Sequence, residues 1–216
     1  MKKLYLATII SLLILSSTAK AETYAGVEIQ HNSLSLKTRP ISLSGGSYQI
    51  NESEYYNEKS IRPAIFIGTK LTDYADIELT YSYISTSKTN NNTGFYLISN
   101  GSQIGAKSDL KIHNLGLDFK PYVKSDKTKL YGILGLNLIN ATIKEDYVAS
   151  GYSASEKETK TGAGFSVGAG VEYELRSDIA LRLQAKYTKS SIDFNKTVLK
   201  SIDNIVTVGA GLLIKF

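Results

Sequence analysis

Apolar and polar residues alternate with a period of two through eight stretches of the chain. In NIVTVGAGLLIKF (204–216), Val206, Val208, Ala210, Leu212, Ile214 and Phe216 share one face. Small or more polar residues, among them Thr207, Gly209, Gly211 and Lys215, hold the other. The same alternation marks TYAGVEIQH from residue 23, RPAIFIGTKL from 62, DIELTYSY from 76 and LGLDF from 115. It continues in LYGILGLNLIN from 130, GFSVGAGVEYEL from 164 and IALRLQAKY from 179. A period of two over such lengths predicts β-strands with one apolar face, here about 9 to 12 residues each. The fourth stretch is irregular, because Leu110 and Ile112 stand on the wrong parity for the face of Leu115, Leu117 and Phe119. A bulge near His113-Asn114 would reset the alternation.

The connectors alternate in length. Short ones (72–76, 124–127, 176–178) carry Asp, Ser and Lys, which suit tight turns. Long ones span about 37–60, 85–107, 144–160 and 189–203, and are rich in Ser, Asn, Thr, Gly and Lys. One end of the sheet therefore carries four long loops and the other three short turns.

Alternation alone does not say which face meets water. A soluble sandwich or lipocalin-like barrel buries its apolar face, whereas a bilayer barrel turns it to lipid. Strand length favours lipid. So does the polar face, which holds Gly26, Gly68, Gly116, Gly135, Gly168, Gly170, Gly209 and Gly211 and so suits a narrow interior. Its charges balance, with Glu28, Glu78, Asp118, Glu172 and Glu174 against Arg62, Lys70, Arg182, Lys186 and Lys215. Buried charges persist when paired, so these ten form the expected lumen network. Tyr74, Phe119, Tyr122, Tyr173 and Phe216 fall near the short turns, and Tyr81, Tyr83, Phe165 and Tyr187 toward the long loops. Aromatic girdles at two lipid–water interfaces have this arrangement.

Composition adds an export signal. MKKLYLATIISLLILSSTAKA has two lysines, a short apolar run and the small-x-small triplet Ala19-Lys20-Ala21. It reads as a signal peptide over 1–21, ahead of a barrel domain over 22–216. Losing Lys2, Lys3 and Lys20 takes the formal charge from +5 to +2, and no clustered basic stripe suggests a nucleic-acid partner. The chain has no cysteine, which excludes thiol catalysis and Cys-ligated metal. His31 and His113 lack partners at metal-ligand spacing, so neither a metal nor another cofactor is expected.

With these features the chain resembles the small eight-stranded outer-membrane barrels of Gram-negative bacteria, of the OmpA-transmembrane-domain and opacity-protein kind. The resemblance implies an all-β fold: a transmembrane antiparallel up-and-down β-barrel of eight strands, with four long extracellular loops and three short periplasmic turns. Thr207, Gly209, Leu212, Ile214 and terminal Phe216 resemble the signal read by the outer-membrane assembly machinery, which with outer-membrane lipid and lipopolysaccharide becomes an expected partner. No periplasmic domain is expected beyond Phe216, and a monomer is expected.

An eight-stranded barrel is filled by its own side chains, which leaves at most a narrow ion path and shifts attention to the loops. Tyr48, Tyr55, Tyr56, Phe95, Tyr96, Tyr147 and Tyr152 stand among small polar residues in the expected loops, a composition suited to protein contact. Since several family members bind host-cell surface or serum proteins, the resemblance implies an adhesin or host-protein-binding role. A structural or narrow-channel barrel is the alternative. A lipid-modifying enzyme using His31 or His113 with a nearby serine is a third, and the expected answer on catalysis is none.

Overall fold

The computed structural model describes residues 22–38, 55–89, 98–99, 102–103, 105–149, 152–195, 197 and 199–216. The expected signal peptide lies outside them. Ten strands occur among the described residues: β1 Thr23–Thr38, β2 Tyr55–Thr72, β3 Ala75–Thr89, β4 Ile98–Ser99, β5 Ser102–Gln103, β6 Gly105–Ser125, β7 Thr128–Ala149, β8 Tyr152–Arg176, β9 Ile179–Asp193 and β10 Leu199–Lys215. Eight of them close into an antiparallel barrel in the order β1-β10-β9-β8-β7-β6-β3-β2, while β4 and β5 pair only with each other. Closure between β1 and β10 runs from Tyr24↔Lys215 to Thr38↔Leu199, and the amide of Phe216 donates to the Thr23 carbonyl at 2.9 Å. The last strand thus satisfies the first and closes the ring of strands.

Two-residue turns at Asp73-Tyr74, Asp126-Lys127 and Ser177-Asp178 join β2–β3, β6–β7 and β8–β9. Asp126 has φ 51°, a left-handed conformation that Asp tolerates better than most side chains and that tight hairpins require.

The eight barrel strands are 15 to 25 residues long, longer than the 9 to 12 expected. The surplus has a physical explanation in the outward faces. Leu130, Leu134, Leu136 and Leu138 point out from β7, followed by Asn140, Thr142 and Lys144. On β9 the outward residues pass from Leu181, Leu183 and Tyr187 to Lys189, and on β10 from Ile214, Leu212, Val208 and Val206 to Asn204. Each apolar run spans about nine residues, the number that crosses a bilayer at a tilt. Beyond it the same strand continues into water with a polar outer face.

Register shows the change as a step across neighbouring strands. Tyr81, Leu115, Leu138 and Ala163 lie side by side on β3, β6, β7 and β8. One outward position further on lie Tyr83, His113, Asn140 and Thr161, and then Ser85, Lys111, Thr142 and Thr159.

The inner face changes in the opposite sense. Toward the short turns it is charged, whereas toward the other end Leu34, Ile84, Leu110, Ile112, Ile139, Ile143, Phe194 and Ile202 form one buried cluster. The expected bulge at His113-Asn114 is absent, since the register from Thr89↔Lys107 to Ala75↔Pro121 is unbroken. Leu110 and Ile112 keep the parity of Gly116 and Asp118 and point inward, because the interior there is apolar.

The loop assignments change accordingly. Tyr55 and Tyr56 lie in β2, paired with Lys37 and Leu36. Tyr147 and Tyr152 lie in β7 and β8, paired with Ala154 and Ala149. The connector expected over 144–160 is therefore a strand hairpin: β7 and β8 continue outward because Asn140↔Thr161 through Ala149↔Tyr152 supply a full ladder. Tyr48, Phe95 and Tyr96 lie outside the described residues.

Candidate functional site

Inward parity brings side chains from six strands together near the short turns. Arg182 of β9 is fully buried between two carboxylates, with Nη1 2.8 Å from Glu78 Oε2 and Nη2 2.6 Å from Glu172 Oε1. Its Nε donates to the same Glu172 oxygen at 3.1 Å. The guanidinium carbon lies 4.0 Å from the centre of the Phe66 ring, and Tyr24 and Tyr131 flank it at 5.6 and 5.8 Å. A guanidinium suits this setting because it is planar, weakly hydrated and able to stack on rings while pairing with carboxylates.

Glu78 also accepts from Lys120 at 2.5 Å, Tyr24 at 3.1 Å and Thr80 at 3.3 Å. Lys129 bonds to Asp76 and lies 3.8 Å from Glu172. Gln184 donates to Glu28 at 2.8 Å and accepts from Tyr131 at 3.1 Å. Gln30 donates to the other Glu28 oxygen at 2.9 Å. One connected web thus ties β1, β3, β6, β7, β8 and β9 across the lumen. Connected buried networks of this kind are rigid, and removing one member leaves a desolvated charge.

A second, mostly uncharged layer lies above it. Lys186 pairs with Asp118 at 3.0 Å, Asn137 donates to Ser166 at 2.5 Å, Ser166 meets Thr188 at 2.8 Å, and Thr207 donates to Asn32 at 2.8 Å. The apolar cluster forms the third layer. Over it, Glu158 accepts from the Asn195 amide and Glu145 from the Leu199 amide, at 3.0 and 3.3 Å. These carboxylates anchor the end of β9 and the start of β10, where Phe194 and Leu199 are buried.

Of the ten charges expected in the lumen, Glu28, Glu78, Asp118, Glu172, Arg182 and Lys186 lie within it. Four lie elsewhere. Lys70 pairs with Asp73 at the β2–β3 turn, and Glu174 with Lys215 and Lys124 at the mouth, because the strands leave the barrel there. Arg62 faces inward and donates to the backbone carbonyls of Ser85 and Ile61. The balance of five against five is thus replaced by a different set, in which Asp76, Lys120 and Lys129 take part. The period-two parity carries Asp118 to Lys120 and Asp76 to Glu78, a signal present in the sequence. Glu28 has amide partners instead of a cation.

The girdle residues Tyr74, Phe119, Tyr173 and Phe216 are exposed on the outer wall near the turns, and Tyr81, Phe165 and Tyr187 near the other end. Tyr122 has inward parity and lies 4.0 Å from the Lys129 ammonium instead. In the expected assembly signal, Leu212, Ile214 and Phe216 face outward, while Thr207 and Gly209 face inward. A methyl added at Gly209 would overlap the Glu28 carboxylate, so its smallness makes room for a lumen charge. His31 faces outward, as does His113, whose Nδ1 lies 2.8 Å from the Tyr81 hydroxyl.

A closed barrel with an apolar girdle outside, paired charges inside and strands of membrane-crossing length defines a transmembrane β-barrel. The model of the outer membrane protein beta-barrel domain matches residues 6–216, and the chain belongs to that family. No curated protein matches it in sequence. Solved structures similar in fold include the following two. Neisserial surface protein A is 17% identical, with 90% of this chain and 97% of that one covered at a TM-score of 0.57. A major outer membrane protein from Thermus thermophilus is 7% identical, with 89% and 99% covered at 0.54. The protein is an eight-stranded bacterial outer-membrane barrel.

Proposed function

We propose that this barrel is a surface-display protein, an adhesin or host-protein binder that engages its partner through the part of the molecule standing beyond the lipid band. The observation that carries this reading is the length of β7 and β8. From Asn140 to Ala149, β7 runs ten residues past its last lipid-facing leucine and remains paired with β8 to Tyr152. That is roughly 33 Å of strand, given its own apolar core, and its tip carries Tyr147 and Tyr152. A rigid projection of this kind suits binding, because its presenting residues lose little conformational freedom on contact. The layered interior supports display over conduction, since a solute would have to cross the Arg182 web and then the cluster around Ile112 and Ile139. The reading assigns no catalysis: His113 is engaged by a tyrosine, and its neighbour Asn140 bonds to Thr161.

The test is adherence of a non-adherent bacterium displaying the intact barrel to an epithelial layer. A second form has Tyr48, Tyr55, Tyr56, Tyr96, Tyr147 and Tyr152 changed to Ser. Strong binding by the first, reduced at least tenfold in the second while both stay heat-modifiable on a gel, is the expected result. Equal binding by the two forms would exclude these tyrosines, and absence of binding by either would count against an adhesin.

A further inference from the structure

Near the outer edge of the lipid band the wall has a seam. The β2–β3 ladder runs from Thr72↔Ala75 to Ala64↔Ser82 and stops, although β2 stays paired with β1 to Tyr55 and β3 with β6 to Thr89. The next residue of β2 is Pro63, which has no N–H to donate. Arg62 reaches across instead and donates to the Ser85 carbonyl of β3.

Three donors stand together on the inner face beside this seam. Asn32 of β1 and Ser60 of β2 are register partners, and Arg62 is the next residue of β2 on the same face. Asn32 is 1% exposed and Ser60 9%. The Thr207 hydroxyl donates to Asn32 Oδ1 at 2.8 Å from the β10 side, which leaves the amide nitrogen for β2 and the lumen. Asn32 Nδ2, Ser60 Oγ and Arg62 Nε are all buried, and none has a hydrogen-bond partner among the described residues. The groups that accept from Arg62 are the Ser85 and Ile61 carbonyls, which leave its charge uncompensated. Glu28 stands two inner positions below Asn32 on β1, but its carboxylate turns toward Gly209 of β10 and accepts from Gln30 and Gln184.

We infer that Asn32, Ser60 and Arg62 form a binding site for a small monovalent anion, a halide or a simple carboxylate. Buried donors without partners are costly, and a buried cation calls for a counter-charge. A compact anion answers both demands, because an amide N–H, a hydroxyl and a guanidinium N–H all donate to it. A water molecule would satisfy the donors and leave the charge of Arg62 in place. Charge-assisted bonds to the guanidinium are the strongest of the three. Arg62 is half-buried at the seam, so its side chain is the movable wall through which an anion enters from the external medium. That route passes neither the Arg182 web nor the apolar cluster. The bound anion ties β1 and β2 to the one side chain that spans to β3, and so stiffens the seam that Pro63 leaves. The site stands apart from any adhesive role of the projecting strands.

The experiment is a chloride titration of the refolded full barrel in neutral detergent, read by the linewidth of the chloride NMR signal. Bromide and acetate are added as competitors in separate arms. The variants are Arg62→Gln, which removes the charge, Asn32→Asp, which places a carboxylate beside Arg62, and Arg176→Gln at the exposed β8–β9 turn. Heat-modifiable mobility checks each fold. The wild type should broaden the signal saturably, and bromide should reverse it. Reversal by acetate as well extends the site to carboxylates, and reversal by bromide alone assigns it to halides. Arg62→Gln and Asn32→Asp should each weaken binding at least tenfold, while Arg176→Gln keeps it. Asn32→Asp should also melt in chloride-free buffer at or above the temperature of the wild type there, because it carries its own counter-charge. No saturable broadening by the wild type overturns the inference. So does broadening kept by both Arg62→Gln and Asn32→Asp, or lost equally in Arg176→Gln.

Discussion

The lower and upper halves of this barrel are built from the same strands and obey opposite rules. Near the short turns, Leu134 and Leu136 face outward while Glu78, Lys120 and Arg182 are buried. Further along the same ladder, Thr142 and Lys144 face outward while Ile139 and Ile143 are buried. The β7–β8 ladder crosses both halves without a break, its register continuous from Thr128↔Tyr173 to Ala149↔Tyr152. What changes is the solvent outside. In hydrocarbon the outer wall must be apolar, and the inside is left to hold polar groups that satisfy one another. In water the usual preference returns, and the apolar residues go inside. The crossover between Leu138 and Asn140 is therefore the outer edge of the membrane written into the chain.

Consequences for stability follow in order of size. Arg182→Ala should have the largest effect, about 3–5 kcal/mol, because it leaves Glu78 and Glu172 buried with less charge compensation. Urea unfolding in liposomes would read it, and Arg182→Met combined with Glu78→Gln and Glu172→Gln should recover part of the loss. In the upper half, Ile139→Ala should cost about 2–4 kcal/mol through the cavity it opens. The same measurement on Leu136→Ala, where lipid refills the space, should show a smaller shift. An arginine separates the halves differently: Leu136→Arg should cost about 2–4 kcal/mol near the bilayer middle, and Thr142→Arg no more than about 0.5 kcal/mol. Equal costs would mean that the two positions share one environment. Gly209→Ala should cost about 1–3 kcal/mol by overpacking against Glu28, and pairing it with Glu28→Ala should recover stability if that clash is the cause.

Alternation and turn spacing carried the number of barrel strands, because period two and the short hairpins are local properties, while closure came with the resemblance. Leu110 and Ile112 show where local reading ran out. Their parity looked like a defect only because one rule was applied along the whole strand, and a change of solvent halfway explains them without a bulge. The long β7–β8 hairpin was unreadable for the same reason, since Asn140 to Ala149 has the composition of a loop and the pairing of a strand. Lys120 was within reach, two positions past Asp118, but it stands one residue beyond the stretch LGLDF that carried the alternation. The partners of Arg62 and Glu28 were not legible, because contacts across a barrel depend on its stagger and on which strands lie opposite.

The most direct test uses the absence of cysteine from the chain. Single cysteines would be placed at Leu134, Leu136, Leu138, Asn140, Thr142 and Lys144, the outward positions of β7, and intact cells treated with a membrane-impermeant maleimide. Labelling should be absent through Leu138 and full from Thr142 onward, with the step at Asn140. Protection that continues to Lys144, or labelling at Leu136, would contradict the account by showing that the membrane edge does not lie where the two faces exchange polarity.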